Sequence, residues 1–410
     1  MNDIFIYDIK YAGEEASSKI KRVRTQMEIS GQESLRTIIP EEVAWLLNLR
    51  GKGAGAEYAD EVKKFSPVFL CELEMTKDSM TFYVNQELSG EVEAYLDKLN
   101  VKVIQKELEE KEIEIEKDKT LISELQKIKN DIEIKNMEEI FLDDGVVFTK
   151  FIYWLKTHVG KETITEMDVK QKMEELRSEV EDYFMPSFET IPGYMEDGAN
   201  IHYHVTKDTN REVKPEGIIM VDAGGQYLRG TTDTTRTFAL GDVTDKMKEM
   251  YTAVLKGHID VTLSKFGEGT TGDVLDEIAR KHIKEKGLDY AHGTGHGLGH
   301  FLNVHEHPRR VFNEKTKIYE NMTFSNEPGV YLEGEFGIRI ENIVRTVMGD
   351  DGKLSLKTFT IVPYEKELID FDCLDEDELK YLKGYQKMVI GTLKGRLNDD
   401  EYEWLKDQMI

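Results

Sequence analysis

Cysteine is scarce in this 410-residue chain, which contains only Cys71 and Cys373. Two cysteines so far apart in sequence do not build a disulfide framework, so the small secreted proteins that depend on one are excluded. Long apolar runs are also missing, because no stretch approaches the ~18 residues of a membrane-spanning helix. The first five residues, MNDIF, lack the basic start of a signal peptide. We therefore expect a cytoplasmic protein without a membrane segment.

Positive charge is in deficit, since 54 Lys and Arg face 80 Asp and Glu and the formal net charge is −26. Such a chain repels phosphate backbones and anionic lipid surfaces, so we expect neither nucleic acid nor a membrane as a partner. The charge instead favours solubility or attraction to basic partners. The length predicts two or three domains, each large enough to bury a core.

The first hundred residues alternate predicted helices and strands. Helices are expected at 17–28, from Pro40 to 49 and at 91–99, and strands at 35–39, within 68–84 and at 101–104. This alternation is typical of a small α/β domain, and nothing in it has catalytic spacing. Between 107 and 139 the composition shifts to dense Glu, Lys and Ile, which favours a solvated helix face over a coiled coil. We predict one domain at 1–106 and a second at 107–410.

A predicted hairpin in the second domain carries two aspartates. The apolar run IIMVDA ends in Asp222, a glycine-containing turn follows, and the strand TTDTTRT presents Asp233. Hairpin pairing could place the two carboxylates side by side, where they repel each other unless a proton or a cation lies between them. Taken alone, the stretch is equally compatible with two solvated aspartates.

Glycines separate four histidines within the segment HGTGHGLGHFLNVHE. These are His292, His296, His300 and His305, and their spacing does not fit helical packing. Glycine lets a backbone approach a neighbouring group closely, as a crowded ligand site requires. A single such histidine is more often an ordinary loop residue. The cluster, together with two aspartates upstream, favours a metal site because neutral imidazole is a good ligand for Mn, Co or Zn.

Two further strands supply acidic groups. Glu327 ends the run TFSNE before a Pro-Gly turn, and the alternation of FGIRIEN places Arg339 and Glu341 on one face. A buried glutamate is costly unless it is paired or bound to a metal. Two Asp, two Glu and one His offer mostly oxygen ligands, which suits a pair of Mn²⁺-like ions more than a structural zinc. Two such ions can stabilise the transition state of a hydrolysis.

The order Asp222, Asp233, His296, Glu327 and Glu341, each in the local wording given above, resembles the dinuclear metallopeptidases of the pita-bread fold. HGTGHGLGHFLNVHE and NEPGVYLEGEFGIRIEN are most similar to the long, eukaryote-type cytosolic aminopeptidase P group. EVAWLLNLRG near the start and VPYEKELIDFDCLDEDELKYL near the end extend the resemblance to nearly the whole chain. It implies an α/β (α+β) chain with a small N-terminal α/β domain and a pita-bread catalytic domain.

The resemblance also implies the roles of the site residues. Asp222 would bind one metal ion and Asp233 would bridge two; His296 and Glu327 would bind the other ion, and Glu341 would bridge. Glu327 would also act as general base, His202 would relay a proton, and His305 would stabilise the oxyanion. His292 would line a proline pocket, and Arg339 would orient the site. His204, His300 and His307 match no family role.

The activity implied is removal of the N-terminal residue from peptides with proline in second position. The resemblance also implies a homodimer and two divalent metal ions, for which Mn²⁺ is expected first and Co²⁺ or Zn²⁺ are the alternatives. Three departures stand out. The chain is expected to begin at the second of three usual domains and to lack the first, and some of the usual sequence around 105–120 is expected to be missing. In addition, His307-Pro308 replaces a usual Gly-Pro. A prolidase acting on Xaa-Pro dipeptides and a non-catalytic binding module are the alternatives. All five metal positions and three accessory histidines keep the required residue type, which favours catalysis.

Overall fold

The computed structural model describes residues 4–52, 63–108 and 120–410. The helices in these ranges are α1 (Ile9–Ala12), α2 (Ala16–Ser30), α3 (Pro40–Leu46), α4 (Gly90–Lys98), α5 (Leu121–Gln126), α6 (Asp131–His158), α7 (Glu166–Ser178), α8 (Asp245–Leu263), α9 (Asp273–Glu285), α10 (Glu376–Leu393) and α11 (Asp399–Asp407). None of the helices in the described ranges has both the length and the apolar character needed to cross a bilayer.

The strands are shorter than most of the helices. They are β1 (Ile4–Ile6), β2 (Ser34–Thr37), β3 (Leu49–Gly51), β4 (Cys71–Thr76), β5 (Met80–Val84), β6 (Lys102–Gln105), β7 (Ile164–Thr165), β8 (Tyr183–Pro186), β9 (Ile191–Tyr194), β10 (Glu212–Val213), β11 (Ile218–Ala223), β12 (Gly225–Tyr227), β13 (Gly230–Thr231), β14 (Thr234–Ala239), β15 (Thr323–Asn326), β16 (Gly329–Leu332), β17 (Phe336–Arg339), β18 (Asn342–Met348) and β19 (Leu354–Thr358).

The N-terminal part is the predicted small α/β unit. Its main sheet has the order β2-β4-β5-β6 and is antiparallel except for the parallel pair β5–β6, because α4 connects those two strands. Helix α3 begins with Pro40 at its first turn, where the missing N–H of proline leaves no hydrogen bond unmade. Apolar side chains of α2, α3 and α4 pack against the sheet, among them Val23, Leu46 and Leu96.

The charged stretch 107–139, predicted as the solvated face of a helix, is not one continuous helix in the described residues. Residues 109–119 lie outside the described residues, and the remainder contains α5 and the start of α6. Asn130 separates the two helices because its side chain accepts hydrogen bonds from the N–H groups of Ile132 and Glu133, forming a capping box that starts α6. The division at residues 106 and 107 stays a prediction.

The C-terminal part contains two helix-covered antiparallel sheets. The sheet β14-β11-β9 packs against α6 and α7 through residues such as Phe151, Met173 and Val221. The sheet β15-β18-β19 packs against α8 and α9 through Leu275, Phe324 and others. Helices α10 and α11 join α8 in a further core. Each of these two sheets is thus covered by helices that follow or precede it in the chain.

The central hairpin has a register different from the one that we expected. In β11 and β14, Asp222 is the direct partner of Thr235 rather than of Asp233. The reason is that β12 and β13 form a separate short ladder, which occupies the residues between the two aspartates. Asp233 precedes β14 and lies two positions before Thr235, so the two carboxylates meet diagonally.

The predicted strand FGIRIEN is two strands. Strand β17 pairs with β16 and ends at Arg339, whereas β18 begins at Asn342 and pairs with β15. Glu341 lies at the bend between them, where its N–H donates to the carbonyl oxygen of Thr235 at 3.1 Å. The bend moves Glu341 out of a regular ladder and toward the aspartates of the central hairpin.

Candidate metal centre and peptide cleft

The five predicted ligands line one cleft of about 660 Å³. Asp222 lies in β11, Asp233 just before β14, Glu327 directly after β15 and Glu341 between β17 and β18. The same cleft is lined by His202, His292, His305 and Arg339. All residues predicted to bind metal or substrate therefore line the same cleft, although they come from elements that are distant in sequence.

His296 reaches the cleft because the glycine-rich segment lies flat against β15. The N–H of Ser325 donates to the carbonyl oxygen of His296, and the N–H of Glu327 donates to that of Thr294, each at 2.9 Å. A Cβ atom at Gly295 would overlap the carbonyl oxygen of Ser325. Only glycine permits this approach, which confirms the prediction that the glycines bring the backbone close to a neighbour.

The ligand atoms are close to one another and buried. Nε2 of His296 lies 3.4 Å from Oδ2 of Asp233 and 3.3 Å from Oε1 of Glu327. Ligand atoms of Asp233, His296 and Glu341 all lie within 4.8 Å of one another. Glu341 is 1% exposed and Asp233 is 3% exposed. Carboxylates at this spacing repel strongly away from water, so the arrangement requires protons or cations.

Burial raises the pKa of Asp233 well above its usual value, and the nearby charges of Asp222 and Glu327 raise it further. Burial likewise raises the pKa of Glu341, with Asp233 as the strongest repelling neighbour. Burial also raises the pKa of Glu327. Each shift has the same physical origin, which is several carboxylates crowded into a space with little water.

The donor set fits divalent cations. Oδ1 of Asp222 and Oε1 of Glu341 are buried and accept no hydrogen bond from any described residue. Oε2 of Glu341, in contrast, accepts a hydrogen bond from the hydroxyl of Thr235 at 2.8 Å, and this bond orients the carboxylate. Buried carboxylate oxygens without donors are rare unless a cation or water satisfies them. Four carboxylates with one imidazole suit Mn²⁺-like ions.

Arg339 connects one ligand to the accessory histidines. Its Nη2 donates to Oδ2 of Asp222 at 2.5 Å, and its Nη1 donates to the hydroxyl of Tyr331 at 2.7 Å. The hydroxyl of Tyr331 lies 2.9 Å from Nε2 of His292. Arg339 is 3% exposed, so these bonds fix the side chains of Asp222 and Tyr331. The sequence reasoning did not identify Tyr331, although it lies four residues after Glu327 in β16.

His292 has a defined tautomer. Its Nδ1 lies 2.8 Å from the carbonyl oxygen of Gly293, which can only accept, so Nδ1 carries the proton and Nε2 accepts from Tyr331. Burial lowers the pKa of His292 to about 3, with the charge of Arg339 as the second cause. The ring is therefore neutral at pH 7, and both of its nitrogens are already engaged.

His305 lies beside the predicted metal ligand His296, with ring centroids 4.2 Å apart in an edge-to-face arrangement. Burial lowers the pKa of His305 well below its usual value, and the neighbouring His296 and Arg309 lower it further. His202 is exposed at the rim of the cleft. Burial lowers the pKa of its imidazole too, and the charge of Arg339 adds to that effect. Both histidines are neutral near pH 7.

The three histidines without a family role have ordinary contacts. Nδ1 of His300 lies 3.3 Å from the hydroxyl of Tyr7 in a fully buried site. Nε2 of His307 lies 3.0 Å from Oε1 of Glu124. His204 lines the cleft, but its Nδ1 faces Glu189 at 3.3 Å. These contacts agree with structural roles.

Three family models match the chain. The model of metallopeptidase family M24 matches residues 136–347 and the model of its C-terminal region matches 352–409. The creatinase/prolidase N-terminal domain model matches residues 1–181. An N-terminal domain of the creatinase type is therefore present, and the expectation that the chain lacks the first domain was wrong to that extent.

Known proteins with similar sequences share one activity. The Xaa-Pro aminopeptidase ApepP of Drosophila melanogaster is 35% identical over 455 residues, which cover 100% of this chain and 73% of that protein. The probable Xaa-Pro aminopeptidase P of Laccaria bicolor is 34% identical, with 99% of this chain and 69% of that protein covered.

A solved structure shows the same fold. The X-prolyl aminopeptidase of Caenorhabditis elegans, described as a cytosolic enzyme with a di-nuclear active site, superposes with a TM-score of 0.91 at 27% identity. The match covers 100% of this chain and 73% of that one. The predicted fold class, a creatinase-type N-terminal domain followed by a pita-bread domain, is thereby confirmed. By its matching family models and its full-length relatives, the chain belongs to metallopeptidase family M24.

Proposed function

We propose that this chain is an Xaa-Pro aminopeptidase, a hydrolase that removes the N-terminal residue from peptides with proline in second position. The observation that carries the proposal is the convergence of Asp222, Asp233, His296, Glu327 and Glu341 on one cleft that also holds three neutral histidines. The relatives' names support the same activity. The cofactor proposed is a pair of divalent ions, Mn²⁺ in the first place and Co²⁺ or Zn²⁺ otherwise.

The ligand roles proposed here are those that the family resemblance implies, and the donor set fits them. Asp222 would hold one ion, His296 and Glu327 would hold the other, and Asp233 and Glu341 would serve both. The unpartnered oxygens of Asp222 and Glu341 support these assignments. When bound, such ions act as Lewis acids that polarise a carbonyl group and acidify water. Arg339 holds Asp222 in the orientation that the site needs.

The protein groups carry the protons. Glu327 takes a proton from the attacking water, whose oxygen bonds to the scissile carbonyl carbon. The neutral ring of His305 donates a hydrogen bond to the carbonyl oxygen as negative charge develops on it. When the C–N bond breaks, the proline nitrogen must gain a proton, and His202 relays the proton that Glu327 accepted. The balance is one water consumed for one peptide bond.

Proline is selected by shape, because a peptide bond before proline has no N–H to recognise. His292 suits this task because both of its ring nitrogens are engaged. A substrate can therefore contact mainly the flat face of its ring. Tyr331 holds that ring in place and is itself held by Arg339. The pyrrolidine ring of the substrate would pack against it.

A cytoplasmic location and a homodimer remain part of the proposal. The description of the worm relative as cytosolic supports the first. The second can be tested by light scattering on the purified chain, where a mass near twice 47.3 kDa is expected and a mass of one chain would contradict it.

Hydrolysis assays test the activity. Ala-Pro-Ala, Ala-Pro and Ala-Ala-Ala are incubated with the metal-free protein, with added Mn²⁺, Co²⁺ or Zn²⁺, and with excess chelator. We expect Mn²⁺-dependent release of alanine from Ala-Pro-Ala and little from Ala-Ala-Ala. Cleavage of Ala-Pro alone would favour a prolidase, and no cleavage with any of the three metals would reject the proposal.

A further inference from the structure

One edge of the cleft is formed by a segment that runs beside the glycine-rich loop. The N–H of Gly297 donates to the carbonyl oxygen of Pro308 at 2.9 Å, and the N–H of Val311 donates to that of Gly295 at 3.1 Å. His307 is also tied to Glu124. These bonds fix the backbone of the segment directly beside His296.

This segment places two arginines in the cleft. Arg309 and Arg310 both line it, the first half-buried and the second exposed. Arg309 is close enough to His305 for its charge to contribute to the lowered pKa of that histidine. Consecutive arginines are unexpected in a chain whose net charge is −26, at a site that holds several carboxylates.

The other charges of the cleft wall are largely engaged. Arg339 is bonded to Asp222 and Tyr331 deep in the site. Glu189 forms an ion pair with Lys170 and faces His204. Arg310, in contrast, forms no ion pair with any residue in the described ranges. Its guanidinium can therefore bind an anion without first breaking an internal contact.

We propose that Arg309 and Arg310 form a subsite for a carboxylate of the substrate on the C-terminal side of the proline. The inference rests on the proposed function and names a class of substrate for it. Arginine presents several donors in a fixed plane that matches a carboxylate. Two sources have this chemistry, namely the terminal carboxylate of an Xaa-Pro-Xaa tripeptide and an Asp or Glu side chain in a longer peptide.

Two matched substrate pairs separate these sources. Ala-Pro-Ala is compared with its C-terminal amide, and the amide of Ala-Pro-Asp-Ala is compared with the amide of Ala-Pro-Asn-Ala. In each pair only the carboxylate differs. Because the arginines are partly exposed, we expect a kcat/KM ratio of about 3–10 in favour of the carboxylate at low salt. Ionic screening should reduce this ratio in about 0.5 M salt.

The variants R309Q/R310Q and R309K/R310K test whether the arginines cause the preference. We expect the ratio to fall to about 1–2 with glutamine and to be partly kept with lysine. K317Q is the matched control, since it removes a positive charge from an exposed residue that does not line the cleft. It should leave the ratio unchanged.

The outcomes separate this inference from the proposed function. A ratio near 1 for both pairs in the unmodified protein, or a ratio unchanged in R309Q/R310Q, would overturn the arginine subsite while leaving cleavage of the neutral amides intact. A preference in the first pair only identifies the terminal carboxylate as the ligand, and one in the second pair only identifies an acidic side chain. Failure to cleave every neutral Xaa-Pro peptide rejects the aminopeptidase proposal itself.

Discussion

His292 and His305 lie in the same cleft but have different surroundings. Both nitrogens of His292 are engaged, by Gly293 and by Tyr331. The ring of His305 packs edge-to-face on that of His296. A neutral ring beside a predicted metal ligand can donate a hydrogen bond to a developing oxyanion. A ring whose two nitrogens are both engaged can contact a substrate mainly through van der Waals packing. The two histidines should therefore contribute to different kinetic constants.

Replacing each histidine by alanine tests this difference. His305→Ala should lower kcat by roughly 10²–10³ with little change in KM, because the lost hydrogen bond forms fully only in the transition state. His292→Ala should mainly raise KM for Xaa-Pro-Xaa peptides and narrow the preference over Xaa-Ala-Xaa. Steady-state kinetics on both substrate classes measures these effects. His204→Ala, which removes a cleft histidine with no assigned role, is the control. Equal losses in kcat for all three variants would contradict the assignments.

His258 shows how a buried histidine couples stability to pH. It is fully buried in α8, with Nδ1 3.1 Å from the carbonyl oxygen of Asn326 and Nε2 3.0 Å from the hydroxyl of Tyr364. Burial lowers its pKa to about 3, and the charge of Arg236 is the second cause. Below pH ~6.5 the unfolded chain binds a proton that the native protein does not bind. The stability contributed by the neutral ring is therefore present above pH ~6.5 and is lost as pH falls toward 3.

Chemical denaturation at pH 7 and pH 5 measures this loss. We expect roughly 2 kcal/mol of the decrease in unfolding free energy between these pH values to come from His258. In His258→Gln that part of the pH dependence should disappear, although the variant is less stable at both pH values. His204→Gln, at an exposed site, should keep the full pH dependence. If the unfolding free energies of the unmodified protein and of His258→Gln changed with pH in the same way, His258 would not take up a proton on unfolding.

At the scale of elements, the segment between His296 and His305 is held by the N-terminal unit. Arg50 of β3 is buried, and it donates from Nε to the carbonyl oxygen of Phe301 at 2.6 Å and from Nη2 to that of His300 at 3.2 Å. Its guanidinium also lies 4.2 Å from the ring centroid of Tyr7. Phe301 has a positive φ of 49°, a conformation that costs free energy unless its surroundings fix it. Arg50 thus helps to stabilise this turn.

Arg50→Met should reduce the unfolding free energy by about 3 kcal/mol, since buried carbonyl groups lose charged donors. It should also lower kcat, because His305 follows the released turn closely. Denaturation curves and kinetics on one preparation measure both effects. Arg36→Met removes a half-exposed arginine that pairs with Glu72 in the same unit, and should cost at most about 1 kcal/mol with normal kcat. A normal kcat in a folded Arg50→Met variant would mean that the turn does not position His305.

The sequence predicted most elements but not how they meet. Helix and strand positions follow from local periodicity and capping, as in α2, where a helix predicted at 17–28 spans Ala16–Ser30. The pairing of Asp222 with Thr235, the bend at Glu341 and the contact of Tyr331 with His292 depend on strands that are distant in sequence. Local patterns contain no information on such contacts. The convergence of the five predicted ligands on one cleft was still expected, because the resemblance to a known family implied it.

At the scale of the whole molecule, the two parts of the chain share one site. Arg50 and Phe301 are 251 positions apart, and Asn303 donates at 2.8 Å to Glu41 of the N-terminal unit while accepting the N–H of His305. Leu302 packs into the core of that unit. Both parts of the chain therefore contribute contacts that hold the histidine segment in place.

The metal centre should also control the stability of the whole molecule. Without metal, burial and mutual repulsion raise the pKa values of Asp233, Glu327 and Glu341. A raised carboxyl pKa means that the native state keeps protons that the unfolded chain releases. The resulting stability is present at low pH and is lost as pH rises through the native pKa. Bound cations would replace those protons, so the stabilisation by metal should increase with pH.

Thermal unfolding with Mn²⁺ and with chelator at pH 6 and pH 8 tests this coupling. At a Mn²⁺ concentration about 100 times Kd, we expect a gain of about 2.7 kcal/mol, or ~3–5 °C in Tm, with the larger gain at pH 8. Asp233→Ala and Glu341→Ala should each lose most of it. Asp260, His282 and Glu378 form another cluster with metal-ligand spacing, but Glu378 is paired with Lys256. His282→Ala should therefore keep the full gain. If that variant loses the gain while Asp233→Ala keeps it, the stabilising metal binds between α8, α9 and α10 and not in the cleft.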